Sequence, residues 1–356
     1  RPQFIKYFPI QQEMDRAQYK TTAFSSVLVH TGQHYDYQMS QVFFDELGIR
    51  PPDYHLEAGS GNHGKQTALV LQKSEDVLLK EKPDIVVVYG DTNSTLGGAL
   101  AAAKLHIPVA HIEAGLRSYN KKMPEEINRV LTDHISSYLF CPSQVAVDNL
   151  AAESIAFKAV SHEPYVFIVG DVMYDVLLHA LSIANKKSKI LGHLNLNPKQ
   201  YNLLTLHRAE NTDDAERLDS IIDFVNDISL KTPAIFPMHP RMAKAYAGAK
   251  KHFHDHIRII EPLGYFDLLM VLKNANCLLT DSGGMQKEAY WLHVPCITLR
   301  EQTEWIETVQ SGWNILWRDY RGLHQTSDKI DAYGEGHAAK KIIEALIERT
   351  LKSHEK

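Results

Sequence analysis

The sequence predicts an α/β protein of two doubly wound domains, each built on a parallel sheet. Three observations carry this expectation. Short apolar runs alternate with longer amphipathic stretches throughout, which is the pattern of strand, crossover helix and strand. Many runs are continuous and β-branched, such as Asp84–Tyr89 (DIVVVY), as expected of strands covered on both faces. The length of 356 residues exceeds the roughly 100–200 residues usual for one domain.

In chain order the predicted strands of the first half are Ser26–His30, Asp84–Tyr89, Pro108–Ile112 and Tyr138–Cys141. Those of the second half are Tyr165–Val169, Asn202–Leu206, Ala234–Met238, Ile257–Ile260, Asn276–Thr280 and Pro295–Leu299. Helical periodicity covers Lys65–Glu81, Ser94–Leu105, Pro124–Ile135, Arg217–Leu230 and Gly284–Leu292. The Gly170-Asp171 turn and the polar Asn185–Lys189 segment put the passage between halves near Glu163–Phe167, giving domains 1–165 and 166–335 that face each other across a cleft. Ligands of such sheets sit beyond the carboxyl ends of the strands, so residues just after strands are the candidates for chemistry.

Composition narrows the class. Apolar residues make up 44% and charged residues 23%, ordinary values for a globular chain. A net charge of −5 offers no basic excess for nucleic acid or an anionic membrane, so neither is an expected partner. No apolar run reaches the roughly 18 residues of a membrane span. The start, Arg1–Lys6, lacks the order of a signal peptide. Three scattered cysteines, Cys141, Cys277 and Cys296, make neither a disulfide framework nor a zinc site, and point to a reducing cytoplasm.

Four strand ends carry unusual residues. Asp91 follows DIVVVY and Glu113 follows PVAHI, so both carboxylates can converge, as a base and an acid for proton transfer must. The ordinary alternative for a strand-end Asp is a helix N-cap. Glu125, beside Pro124, also fits plain helix-start chemistry. In the second half His207-Arg208 and His239-Pro240-Arg241 follow strands and suit an anionic leaving group, although any one of 19 histidines is more simply structural. Asp281-Ser282-Gly283-Gly284 ends an apolar run and opens a helix, the arrangement that receives phosphate on free N–H groups. Glu288, a turn later, is placed for ribose hydroxyls.

Three motifs are set aside. Gly59-Ser-Gly61-Asn-His-Gly64 matches a dinucleotide fingerprint, but Tyr54–Ala58 is too polar for a central strand and no strand-end acid follows about 20 residues on. His252, His254 and His256 alternate among Lys and Asp, as in a solvated segment, and Lys186–Lys189 reads as a surface charge run.

Taken together, RPQFIK (1–6), TGQHYD (31–36), YGDTNSTL (89–96), HIEAGLR (111–117), MPEEINR (123–129), LHRAEN (206–211), HPR (239–241), TDSGGMQKEA (280–289), REQTEW (300–305) and YGEGHA (333–338) resemble the non-hydrolysing UDP-N-acetylglucosamine 2-epimerase family along nearly the whole chain. The resemblance implies two facing Rossmann-like domains in a GT-B-like arrangement, a C-terminal helix (336–356) packing back on the first domain, and a homodimer. It implies a UDP-sugar substrate, no redox cofactor and no metal. The chemistry eliminates UDP across C1–C2 to an acetamidoglucal and adds it back after protonation on the other face. Carried over by position, Asp91, Glu113 and Glu125 are the acid/base carboxylates and His207 acts at the diphosphate. Arg1 and Lys6 are basic residues of the first loop, and Arg129 is a substrate contact. Ser282, Gly283 and Gly284 hold phosphate, Glu288 holds ribose, and His239 and Arg241 line the cleft.

Two departures stand out. The family opens on a central strand ending in Gly-(Thr/Ala)-Arg-Pro, and this sequence starts at that Arg, so the expectation is a sequence incomplete at its start. An activating second UDP-N-acetylglucosamine, bound in some members through Gln33-His34 and a following Arg, meets Leu69 at the Arg position. The leading expectation is UDP-N-acetylglucosamine 2-epimerase serving surface polysaccharide. A subgroup acting on UDP-2,3-diacetamido-2,3-dideoxyglucuronate shares these motifs and would need an extra cation, for which Arg117, Lys121 and Lys122 are candidates. A GT-B glycosyltransferase and an inactive nucleotide-sugar sensor are the further alternatives.

Overall fold

The computed structural model describes residues 3–16, 25–32, 47–155, 164–322 and 332–354. The chain divides into two compact units, Arg1–Leu178 with Asp331–Lys356, and His179–Ile330. Arg1, Gln33 and His34 lie outside the described residues.

In the first unit β1 (Val29–His30) and β2 (Tyr54–His55) form a two-stranded parallel sheet. A second parallel sheet runs β3 (Val86–Tyr89), β4 (Val109–Ile112), β5 (Tyr138–Cys141), β6 (Tyr165–Ile168), in that order. Tyr89, Ile112, Phe140 and Phe167 lie side by side across it, so the residues after β3 and β4 emerge together at one edge. β6 keeps a four-residue register with β5, which places it in the first sheet and moves the division from residue 165 to Leu178/His179. The Gly170-Asp171 turn marks the end of that strand and not the end of the unit.

Both faces of this sheet are covered, which is why its strands read as unbroken apolar runs. Val109 packs with Val88, Ala99 and Ala102 on one face. Ala110, Ile112 and Phe140 pack on the other against Ala338, Ala339, Ile342 and Ile343, so the helix Ala338–His354 belongs to this unit. β1 and β3 do not pair with each other. A cavity of about 240 Å³ lies along them, lined by Phe4, Leu28, Val29, Val77, Val86 and Val88 among others.

The second unit is one six-stranded parallel sheet. Its strands are β7 (Asn202–Thr205), β8 (Ala234–Pro237), β9 (Ile257–Ile260), β10 (Cys277–Thr280), β11 (Cys296–Thr298) and β12 (Asn314–Leu316). Their spatial order is β12-β11-β10-β7-β8-β9. Strand order reverses between β7 and β10, where Thr205 is opposite Thr280, making this the switch point at which doubly wound sheets take ligands. Alternate residues feed two cores, Leu204 and Leu279 one, Leu203 and Leu278 the other.

Predicted and observed strands agree within three residues at their starts and one at their ends. Pro108 and Pro295 fall outside, since Pro cannot donate to a ladder. β2 and β12 are two and three residues long, too short for periodicity to register. Among the described residues no helix is long and apolar enough to cross a membrane. The three cysteines are buried free thiols.

Asp175 fastens the C-terminal helix by accepting backbone N–H bonds from Ala338 (3.2 Å) and Ala339 (2.8 Å). Burial pushes its carboxyl up from 3.8 to about 6 in spite of those donors, with Asp171 adding to the rise. A carboxyl raised by folding contributes most while it is protonated, and that contribution is lost as the pH climbs from about 4 through about 6. Asp175→Asn is therefore expected to gain on the wild type, in urea midpoint followed by circular dichroism, between about pH 4.5 and about pH 7.5.

Candidate active site

The first unit gathers its polar side chains beyond β3 and β4. Thr92, not Asp91, caps the helix Asn93–Lys104, in a reciprocal box with Thr95. The Asp91 carboxylate is thereby left to accept from the Arg129 guanidinium and, at 3.4 Å, from Gln3 Nε2. Asn128 Nδ2 donates to the Asp91 carbonyl (3.0 Å) and tethers the loop to the helix Pro124–Ile135.

Glu113 forms an ion pair with buried Lys6. Its backbone has φ 75°, a left-handed conformation that costs a residue with a side chain of order 1 kcal/mol or more. Gly115 (φ 80°) completes the turn, and a Cβ there would run into the Ala146 carbonyl. The pairs Asp91–Arg129 and Glu113–Lys6 thus stand at neighbouring strand ends.

Beneath them lies a network that motif reading did not resolve. His111 in β4 bonds the Gly90 carbonyl through Nε2 (2.7 Å) and Asp133 through Nδ1 (2.6 Å). Asp133, fully buried, also accepts from Gly115 N (3.1 Å) and Arg117 (2.7 Å). Burial alone would raise its carboxyl, but His111 and Arg117 hold it below the usual carboxylate range. Arg117 also forks onto both oxygens of Glu153 at 2.7 Å, so it is committed inside the unit and not offered to a ligand. Lys121 and Lys122 are exposed.

Glu125 is exposed at the first turn of its helix, while Glu126 is 3% exposed. Glu126 accepts from Ser118 N (2.9 Å), Tyr119 N (2.8 Å) and Arg129 (3.2 Å). Glu125 stays the sequence candidate, and Glu126 adds a buried carboxylate that sequence reasoning did not single out. The helical phase shared with buried Arg129 and Asp133 was the signal for Glu126.

In the second unit, Asp281 ends β10 beside the loop that follows β7. Its carboxylate accepts from Arg208 N (2.8 Å), His207 N (3.0 Å) and Asn211 Nδ2 (3.2 Å), and lies 3.1 Å from His207 Nδ1. Ser282 caps the helix Gly283–Trp291. Gly283 is the point of closest approach: a Cβ there would be 2.7 Å from Glu304 Oε1 and 3.2 Å from Trp305 Nε1. Glu304 is held by Arg300 (3.0 Å), which also bonds Glu210 (3.2 Å). Lys287 stacks over Trp305, 3.7 Å from the ring centre.

Gly284 follows in the same helix start, and Glu288, 1% exposed, accepts from the Tyr265 hydroxyl (3.2 Å). His239 Nδ1 accepts from Arg241 N (3.1 Å), and its ring centre is 6.1 Å from that of His207. Burial, with the nearby charges of His207 and Arg241, lowers its affinity for a proton. Arg241 turns to Asp213 (2.9 Å) and Thr212 (3.2 Å). Asp281, Arg300 and Glu304 were passed over as candidates, although each lies in or next to a quoted motif. Among the described residues no group of three or more His, Cys, Asp or Glu is placed to hold a metal.

A family model described as UDP-N-acetylglucosamine 2-epimerase matches residues 16–347. The chain belongs to this family. Members similar to it include a UDP-N-acetylglucosamine 2-epimerase homolog of Methanococcus maripaludis, 50% identical over 97% of each chain. A UDP-2,3-diacetamido-2,3-dideoxy-D-glucuronate 2-epimerase of Pseudomonas aeruginosa is 45% identical over 97% of each chain. The crystal structure of the Methanocaldococcus jannaschii UDP-GlcNAc 2-epimerase, in complex with UDP-GlcNAc and UDP, is 44% identical. It superposes with a TM-score of 0.85 over 98% of this chain and 97% of that one. The family fold is GT-B-like, and the parallel sheets of both units here agree with it.

The buried network and the exposed helix start of this epimerase-family chain respond differently to mutation. Asp133→Ala leaves His111 and Arg117 facing each other out of water, and is expected to cost about 3–5 kcal/mol in urea unfolding. Glu125→Gln, at an exposed position, should stay within about 0.5 kcal/mol of wild type in the same titration.

Proposed function

We propose that the chain interconverts UDP-N-acetylglucosamine and UDP-N-acetylmannosamine by elimination and re-addition of UDP. The observation that carries this reading is the pair Asp91 and Glu113, two carboxylates at adjacent strand ends, each on its own cation. The C2 hydrogen of the sugar is not next to a carbonyl, so removing it alone is unfavourable. Coupling its removal to C1–O cleavage, with the electron pair leaving on UDP, forms the C1=C2 bond of a 2-acetamidoglucal. A carboxylic acid then protonates C2 on the opposite face while a UDP phosphate oxygen re-forms the bond to C1. Atoms and oxidation state balance without a co-reactant.

In this reading Asp91, Glu113 and Glu125 carry the proton, with Arg129 and Lys6 setting the charge of the first two. His207 and the Ser282-Gly283-Gly284 turn take the diphosphate, Glu288 takes the ribose, Arg241 and Arg1 are auxiliary cations of the substrate site, and His239 lines it as a polar neighbour. The M. jannaschii relative, crystallised with UDP-GlcNAc and UDP, supports the substrate. The chain works as a cytoplasmic homodimer supplying surface-polysaccharide precursors. A second reading, the same mechanism on UDP-2,3-diacetamido-2,3-dideoxyglucuronate, is favoured by the 45% identity to the P. aeruginosa enzyme. With Arg117 engaged by Asp133 and Glu153, Lys121 or Lys122 would then receive the sugar carboxylate.

Incubation of each UDP-sugar with the protein in deuterated water, followed by NMR at C2, tests both. Manno product carrying deuterium at C2 is expected, and binding without exchange or turnover of either sugar would overturn the proposal. Asp91→Asn and Glu113→Gln are each expected to slow exchange by about 10²–10⁴-fold, and full activity in either would remove that residue from the mechanism. Gly283→Ala should weaken UDP binding by calorimetry, because its methyl group displaces Glu304 and Trp305.

A further inference from the structure

We propose that Glu126 is a positioning residue that splits the Arg129 guanidinium between itself and Asp91, so that Asp91 is held by one half of the fork and stays able to exchange a proton. The inference rests on the proposed role of Asp91 in proton transfer, and concerns a buried side chain that acts through Arg129.

Arg129 lies on the helix Pro124–Ile135, one turn beyond Glu126. Its two terminal nitrogens go to different carboxylates. Nη2 bonds Asp91 Oδ2, and Nη1 bonds Glu126 Oε2 at 3.2 Å. A guanidinium grips a carboxylate most firmly when both N–H tines meet the same one, and here the tines are divided. The Glu126 and Arg129 side chains are each 4% exposed, while that of Asp91 is 22% exposed. Asp91 is therefore the member of the set that a ligand can reach, and Glu126 is the buried anchor.

The anchor is fixed by the loop that follows β4. Oε2 also accepts from Ser118 N (2.9 Å) and Ser118 Oγ (2.9 Å), and Oε1 accepts from Tyr119 N (2.8 Å). Of the other groups around the Asp91 loop, Lys6 pairs with Glu113 and His111 pairs with Asp133. Gln3 brings a neutral amide to Asp91 Oδ1 at 3.4 Å. Burial pushes the Tyr89 phenol up, so the residue at the end of β3 stays uncharged. Glu125 is exposed to solvent on the same helix.

An anion near a carboxylate raises its affinity for a proton, and a cation lowers it. Glu126 acts in the first sense twice over. Its own charge repels that of Asp91, and it draws half of the Arg129 fork away. Without that charge, Asp91 takes a larger share of Arg129 and holds a proton less readily.

Glu126→Gln is the near-isosteric test. Its amide oxygen can keep the Ser118 and Arg129 donors that Oε2 now accepts, and the Tyr119 bond is the one lost. Glu126→Met removes the charge without burying an amide, and carries the test if the glutamine variant does not fold. Ser118→Ala loosens the same loop and keeps the charge. Carboxyl ¹³C NMR of the full chain labelled at aspartate, with Asp91→Asn to assign the signal, reads the titration midpoint of Asp91 directly. That midpoint is expected to fall by about 0.5–1.5 pH units in both charge-free variants and to stay within about 0.2 in Ser118→Ala. The acidic limb of deuterium exchange at C2 of UDP-N-acetylglucosamine should fall by the same amount.

A midpoint that stays or rises in the charge-free variants overturns the proposal, as does an equal fall in Ser118→Ala. An exchange limb that keeps its place while the midpoint falls overturns it as well. If the midpoint falls as expected and none of the proteins turns over or exchanges deuterium into either UDP-sugar, the split of Arg129 stands and the epimerase reading fails.

Discussion

A carboxylate taken wholly out of water must be paired, and Asp133 shows how much structure follows from that requirement. Its partners are His111 on β4, Arg117 beyond β4 and the Gly115 amide, which together fix the turn carrying Glu113. Through His111 the same charge reaches the Gly90 carbonyl and so the loop carrying Asp91. The two strand ends that bear the candidate acid and base are therefore held by one buried ion network and not only by the ladder between β3 and β4. The strained backbone of Glu113 persists because this surrounding structure over-determines it.

The second unit uses the same device at a different place in the sheet. Asp281 is buried at the switch point between β7 and β10 and collects the donors of the loop after β7. The chemistry above it differs. The first unit presents carboxylates, each balanced by a cation, as suits moving a proton. The second presents His207, a capped helix start and a close backbone approach at Gly283, as suits an anion. Elimination of a nucleoside diphosphate from a sugar asks for both sets, and a parallel sheet delivers each one by ending neighbouring strands at one edge.

Much of this was legible in the residues themselves. Continuous β-branched runs such as Val86–Tyr89 located the buried strands, because coverage on both faces removes alternation. Asp91, Glu113, His207 and the Ser282-Gly283-Gly284 turn were legible as strand-end residues. Glu126 shows the limit of such reading: beside the candidate Glu125 it looks alike in sequence, and only the helix phase buries it in the network while leaving Glu125 exposed.

By itself the sequence determined the fold class, the strand positions and the family, because periodicity and motif order are local or linear properties. The tertiary structure decided which charges are spent internally. Arg117 reads as a loop cation available to a sugar carboxylate, and it is consumed by Asp133 and by Glu153, 36 positions away. Asp281 reads as one letter of a phosphate turn, and its carboxylate in fact serves a loop more than 70 positions earlier. The β6 strand reads as the start of a second half, and cross-strand hydrogen bonding to β5 keeps it in the first. Pairing of charges and of strands is settled by distance in space, and spacing along the chain does not contain it.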